Sequence, residues 1–360
     1  MTRVLVTGSG GLAGVNFVRA LRASPRGYYI VGTDFNKYHI LYPDVDARYL
    51  TPRHGDKAFI PRVAEVIGVE KIDFLHPQPS SEALVIAKAG KRIKCRTLLP
   101  PASVMKIGQD KLLSQKRLVA ENIPVADTFA IKERKDIRAA FSKLGSPLWV
   151  RARHGAGGRL SLLCKDAVEA TLWIDLWVRR GGDPYSEFIL QEYLPGRNLA
   201  WDSIWKEGKL ITSYSRERLE YPLKHISPSG ITGTPSVSRT VHDPHLNDVG
   251  ERAVKTIDEK PNGAYSVDMR ESEDGRPCIT EVDSGKFHST MPLWGYIAVK
   301  HLKLPQYANV ADLYVRLGMG DEIDEEPPRT DLLPEGYYLL RDMDVGAYLW
   351  REDGSKQKVL

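Results

Sequence analysis

Cysteine is scarce in this chain: Cys95, Cys164 and Cys278 stand far apart, in none of the paired spacings that hold zinc or an iron–sulfur cluster. The expectation is three reduced, buried thiols in a cytosolic protein. No apolar run approaches the length that crosses a bilayer. No charged leader precedes an apolar stretch at the start either, where Arg3-Val4-Leu5-Val6 opens a strand at once. A cytoplasmic location is expected, without secretion or membrane insertion. Charge of one sign is not concentrated: the formal +5 is spread along the chain, and the densest basic cluster, Lys91 to Arg96, lacks interleaved aromatics. That cluster reads as a solvated face and not as a nucleic-acid surface. With 42% hydrophobic and 27% charged residues over 360 positions, the composition is that of a globular protein of two or three domains.

The first hundred residues alternate strand and helix signals, with strands at 4–7, 29–33 and 74–76 and helices at 12–22 and near 59–66. That order argues for parallel strands with helical crossovers, a Rossmann-like domain. The turn Thr7-Gly8-Ser9-Gly10-Gly11-Leu12-Ala13-Gly14 follows the first strand and fits a tight entry into a helix whose N–H groups can face an anion. Asp34, at the end of the second strand, stands where a dinucleotide-binding protein grips a ribose. An NAD(P)-dependent reductase or epimerase is therefore one reading. The Tyr296-x-x-x-Lys300 spacing does not support it, because it comes too late in the chain and sits in a stretch that reads as a core-facing helix.

After Pro100-Pro101 the pattern changes. Helices are expected at 109–121 and 134–144, a strand with two arginines at 147–153, and a glycine loop, His154-Gly155-Ala156-Gly157-Gly158-Arg159, leading to a strand at 160–164. A strand at Phe188 runs into Gln191-Glu192-Tyr193-Leu194. An antiparallel pair follows at 199–205 and 210–215, then a long loop from Glu217 to Arg239 rich in glycine, proline, serine and charge. Helices at 246–257 and 294–302 flank the most informative stretch, two short strands, SVDMR and CITEVD, joined by a turn at 271–277. Side chains alternate faces along a strand, so Glu281 and Asp283 share one face and the returning strand brings Asp268 beside them. Three carboxylates on one face repel, and a cation is expected among them. Hard oxygen ligands without a His or Cys pair favour Mg²⁺ held together with substrate phosphates.

Arginine strand, glycine loop, Gln-Glu-Tyr-Leu hinge, basic loop and carboxylate hairpin, in that order, resemble the ATP-grasp superfamily, in particular ligases built like the carbamoyl phosphate synthetase large chain. The resemblance implies an α/β fold with a Rossmann-like pre-ATP-grasp domain (1–100), a small subdomain with the glycine loop (101–190), a large subdomain with the Mg-ATP site (191–320) and a C-terminal extension (321–360). It implies ATP and Mg²⁺ as cofactors, with Lys111, Arg151, Gly155, Gly157 and Gly158 on the phosphates. Gln191, Glu192, Tyr193, Leu194 and Asn198 would hold adenine and ribose, and Asp268, Glu281 and Asp283 would ligate Mg²⁺. Lys286, Arg216 and Arg218, with Arg151, would neutralise charge during reaction. Lys224 and Arg239 lie in or beside the variable loop and are further candidates for the substrate carboxylate; His225 and His288 are candidates for moving protons. Two departures stand out: Asn198 replaces a frequent Glu, and Asp283 a commoner Asn. The activity implied is ATP-dependent joining of a small carboxylic acid to an amine through an acyl phosphate, and dimers are common in this group. A nucleotide-binding protein without chemistry is the remaining alternative.

Overall fold

The computed structural model describes residues 1–155, 158, 160–180, 184–343 and 346–360. Its first layer is the sheet β3-β2-β1-β4, all neighbours parallel, built from β1 (Arg3–Thr7), β2 (Tyr29–Asp34), β3 (Ala47–Leu50) and β4 (Phe74–Pro77). The crossovers carry α1 (Leu12–Arg22) and α2 (Phe59–Glu70), and α3 (Ser80–Ala89) follows β4. β1 is buried at four of its five residues, as a parallel strand covered on both faces must be. The turn into α1 needs glycine for space: a Cβ on Gly14 would stand 2.6 Å from the Gly8 carbonyl oxygen.

The helix expected over 109–121 is α5 (Lys111–Ala120), and a further helix, α4 (Ala102–Gln109), precedes it, the two broken at Asp110. Asp110 leaves helical conformation to cap α5, its carboxylate accepting from the Leu112 and Leu113 N–H groups at 3.2 Å. Beyond them β5 (Thr128–Ala130), α6 (Asp136–Leu144), β6 (Leu148–Ala152), β7 (Leu162–Cys164), α7 (Ala167–Arg179) and β8 (Phe188–Glu192) form an antiparallel sheet, β5-β8-β6-β7, backed by two helices.

The third sheet is the largest, in the order β13-β12-β9-β10-β11-β14-β15-β16. It contains β9 (Asn198–Lys206), β10 (Lys209–Glu220), β11 (Val237–Val241), β12 (Gly263–Glu271), β13 (Pro277–Ser284), β14 (Tyr338–Asp342), β15 (Gly346–Trp350) and β16 (Lys356–Lys358). The helices α8 (Pro244–Ile257), α9 (Met291–Lys300) and α10 (Val310–Met319) pack on it. The loop expected from Glu217 to Arg239 is shorter, because β10 runs on to Glu220 and β11 starts at Val237. One apolar core joins β1 and α1 to α9, α10 and β14, which fixes the N-terminal layer over the large sheet. The three cysteines are free; Cys164 and Cys278 are buried and Cys95 is only partly so, short of the full burial expected. Among the described residues no helix is long and apolar enough to cross a membrane.

Candidate active site

The carboxylate hairpin forms as its alternation predicts. Asp268 pairs with Glu281 and Ser266 with Asp283 across β12–β13, while on the other side of β12 Ser266 pairs with Asp202 of β9. Cross-strand partners share a face, so four carboxylates lie on one surface of the sheet.

They do not close around one point. Among the described residues there is no cluster of three or more His, Cys, Asp or Glu side chains at metal-binding spacing. Each acid instead has its own cation. Arg218 reaches Asp268 at 2.8 Å, Arg151 reaches Glu281 at 3.0 Å, Lys111 approaches Glu281 at 3.3 Å, and Lys286 holds Asp283 at 2.9 Å. Arg216 holds the fully buried Asp202 at 2.9 Å. Five cations thus face four anions, an excess that suits a polyanionic guest. His288 sits inside the group, with Nδ1 2.9 Å from Asp202 and Nε2 3.5 Å from Asp283 and 3.7 Å from Asp268.

The protonation states follow from this packing. Burial works against every charge here, yet Lys286 and His288 hold Asp283 well below the ordinary carboxylate range, and Arg218 and His288 do the same to Asp268. Asp202 is likewise held low by Arg216 and His288 against full burial. Burial opposes charge on His288, but Asp268 and Asp202 outweigh it and raise its pKa. Lys111 is pushed down, chiefly by burial, with Glu281 acting against the shift.

Two cavities meet at this row of charges. One is lined by Trp149, Arg151, the hinge Gln191 to Leu194, Asn198 and Arg270. The other, of about 670 Å³, extends from the same row to the glycine turn before α1 and the start of α3. Arg218, Asp268 and Glu281 line both. At the hinge, Gln191 donates to the Thr128 hydroxyl at 2.8 Å and Glu192 accepts from the Asp127 N–H at 3.1 Å. Asn198 donates to the Tyr221 hydroxyl at 3.1 Å. Gly155 offers its carbonyl to Lys111 Nζ at 2.6 Å, and Gly158 has φ of +70° with Ile231 of the variable loop against it. Gly157 lies outside the described residues.

Some expected contributors fall elsewhere. Arg239 is on β11 opposite Glu217, the residue between Arg216 and Arg218, and period two turns both away from the cavity; they pair at 2.6 Å. Lys224 is exposed and bound to Glu220, and His225 is exposed in the same loop. Asp34 does not stand ready for a ribose: it is buried, its carboxylate accepting from the N–H groups of Gly10 at 3.2 Å and Asn36 at 2.8 Å. Two contributors were missed. Asp202 had one signal, an acid at an inward position of the apolar strand Leu199 to Trp205; Arg153, which holds Asp110 at 2.7 Å, had none beyond its charge.

No family model matches the chain. The glutamate–LysW ligase ArgX of Sulfurisphaera tokodaii is 27% identical over 177 residues, covering 46% of this chain and 61% of that relative, so under two thirds of its length is matched. Among solved structures, the biotin carboxylase domain of Hydrogenobacter thermophilus 2-oxoglutarate carboxylase, in complex with MgADP, ADP and bicarbonate, aligns over 94% of this chain and 73% of its own with a TM-score of 0.70 and 14% identity. L-amino acid ligase from Bacillus licheniformis aligns over 94% and 79% with a TM-score of 0.69 and 13% identity. N5-carboxyaminoimidazole synthetase from Staphylococcus aureus, complexed with ADP, aligns over 94% and 82% with a TM-score of 0.67 and 15% identity. The fold is the ATP-grasp fold. The cleft with Gln191 to Leu194 lies between the antiparallel four-stranded sheet and the eight-stranded sheet.

Proposed function

We propose that the chain is an ATP-dependent carboxylate–amine ligase of the carbamoyl phosphate synthetase-like branch, with residues 1–100 as the pre-ATP-grasp module. The observation that carries this reading is the charged row lining both cavities, since phosphoryl transfer is mostly positioning and charge neutralisation between two bound partners. The hinge residues Gln191 to Leu194, with Asn198, would hold the base and ribose, and Lys111, Arg151 and the glycine loop the phosphates. Asp268, Glu281 and Asp283 offer hard oxygen donors on adjacent strands and fit Mg²⁺, provided that Arg218, Arg151 and Lys286 turn from them to the phosphates. The metal would supply neutralisation of the β- and γ-phosphate charge.

In the first step a carboxylate oxygen of the acid attacks the γ-phosphorus, and the bond from γ-phosphorus to the bridging oxygen breaks, releasing ADP. An amine nitrogen then attacks the acyl carbon, the bond to phosphate breaks, and the amine gives up its proton as the amide forms. Arg216, Arg218 and Lys286 line the larger cavity and would supply cations to the acid and its tetrahedral intermediate. The name of the Sulfurisphaera relative supports amide formation with an amino acid and widens the choice of amine to one borne on a protein. The reductase reading is not favoured, because Asp34 is consumed by the glycine turn.

The test is ADP release from a panel of carboxylic acids crossed with amines, followed by mass detection of product. The expected result is release that requires Mg²⁺, acid and amine and disappears in Glu281→Ala. Activity unchanged in that variant would remove the site, and ATP binding without turnover on any pair would favour a nucleotide-binding role.

A further inference from the structure

Pro77-Gln78-Pro79 closes β4 and leads into α3. The two prolines fix the backbone on either side, and a residue before proline is held extended, so Gln78 has a rigid mount. Its N–H also donates to the Thr7 carbonyl of β1 at 3.3 Å. The buried Gln78 side chain leaves the N-terminal layer: Nε2 donates at 2.8 Å to the carbonyl of Phe287, 209 positions away in the chain.

The direction of that amide is set from behind. A backbone carbonyl only accepts, so the amide nitrogen faces Phe287 and Oε1 faces His76 Nε2 at 2.9 Å. An amide oxygen only accepts as well, so His76 carries its proton on Nε2, and its Nδ1 has no hydrogen-bond partner among the described residues. Full burial, with the ring stacked on Phe17 at 3.9 Å, pushes the His76 pKa down to about 4 and keeps the imidazole neutral. One tautomer of one histidine thus locks Gln78 in the orientation that the Phe287 carbonyl needs.

The segment that receives this bond, 285–290, joins β13 to α9 and carries two members of the charged row. Lys286 holds Asp283 at 2.9 Å, and His288 Nδ1 lies 2.9 Å from Asp202. Phe287 between them points the opposite way, its ring buried against Phe17 and His76 at 5.4 Å and Tyr314 at 5.2 Å. A second amide repeats the arrangement. Asn16 of α1, also buried, donates Nδ2 to the Ser289 carbonyl at 2.8 Å while its Oδ1 accepts from Arg19. Two amides from separate elements of the N-terminal layer therefore hold alternate carbonyls of one short segment, and its alternate side chains, Lys286 and His288, face the carboxylates.

We propose that Gln78 and Asn16 are positioning residues, which set Lys286 and His288 against the carboxylate row, so that the N-terminal layer shapes the reaction site without supplying a reacting group. The effect on reaction rests on the ligase reading; the tether itself does not.

The experiment uses the full chain with Gln78→Met, which keeps length and loses both hydrogen bonds, and, on the other element, Asn16→Asp, which keeps the acceptor for Arg19 and loses the donor to Ser289. The first readout is the long-range proton–nitrogen spectrum of the chain labelled at its histidine nitrogens, without nucleotide or metal, with the His288 ring assigned through His288→Gln. Each variant should move the His288 ring signals, although neither side chain is hydrogen-bonded to that ring. The second readout is ADP release with an acid–amine pair from the panel: kcat should fall about tenfold or more while KM for ATP stays within about twofold, because displaced reacting groups cost rate before they cost nucleotide binding. His288 signals that stay in place in both variants, or a loss that falls on KM for ATP with kcat intact, overturn the proposal. A wild-type chain that releases no ADP with any pair sinks the ligase reading, and the ring signals alone then decide whether the tether holds.

Discussion

Asp202 and Arg216 form an ion pair at 2.9 Å with neither side chain more than 1% exposed, at the junction of β9 and β10. The pair is held from the sides: Ser266 donates to Asp202 at 2.7 Å, and His288 Nδ1 lies 2.9 Å from Asp202. Burying two charges gains little over a well-packed apolar pair, so its value is in fixing the Arg216 guanidinium at the cavity wall.

That arrangement makes the single variants worse than the double. Asp202→Ala should destabilise the fold by about 3–5 kcal/mol, because it strands a buried guanidinium. Arg216→Met in the same chain should recover part of the loss. Urea unfolding of the two single variants and the double variant, treated as a cycle, checks this, and additive losses would mean that the two charges do not depend on each other.

The glycine turn before α1 invites a binding role, but its geometry gives a packing role independent of any ligand. A Cβ on Gly14 would stand 2.6 Å from the Gly8 carbonyl oxygen and 2.7 Å from Ser9 Cα, both backbone atoms that cannot step aside. Gly14→Ala should therefore lower stability by about 1–3 kcal/mol with no ligand present. A thermal melt unchanged by the substitution would return the turn to a purely binding role.

Much of this site was readable in the residues because its key element is local. The hairpin from Gly263 to Ser284 carries its own alternation and turn, so the shared face of Asp268, Glu281 and Asp283 follows from period two alone. α10 was not read; Val310 to Leu317 are all buried, the charged Asp312 and Arg316 included, so polarity there does not mark an outer face. α7 failed for the opposite reason: Val168, Leu172 and Leu176 are exposed and blur its apolar face. Asp202 pairs with residues 14 and 64 positions away. Its role depends on strand order, which local pattern does not specify.

Asp110 links a helix cap to the glycine loop. Its carboxylate caps α5 and binds Arg153 at 2.7 Å, and Lys111, the next residue, reaches both Glu281 and the Gly155 carbonyl. Asp110→Ala should cost about 1–2 kcal/mol as a lost cap. On the ligase reading it should also weaken ATP binding several-fold, since Lys111 is positioned by that cap. Asp110→Asn keeps the cap acceptor and should restore stability more than affinity. Titration with an ATP analogue alongside chemical denaturation separates the two effects; full recovery of both in Asp110→Asn would show that the Arg153 pair adds nothing.

Glu82 makes stability depend on pH in a window away from the charged row. It is 5% exposed on α3 below the glycine turn, its Oε2 has no hydrogen-bond partner among the described residues, and burial, with the nearby Asp34 adding to it, pushes its pKa up to about 7. An acid whose folded pKa is raised keeps its proton in the native state after the unfolded chain has lost it. The unfolded state then binds fewer protons, so stability falls as pH rises from about 4.5 to about 7 and levels off above. A shift of this size corresponds to about 3 kcal/mol lost across that window. Glu82→Gln removes the titrating group while keeping its shape, so the variant should match the wild type near pH 4 and exceed it by about 1–3 kcal/mol at pH 8. Urea unfolding at half-unit pH steps reads this directly, and parallel curves for the two proteins between pH 5 and pH 8 would show that Glu82 is ionised in the native fold.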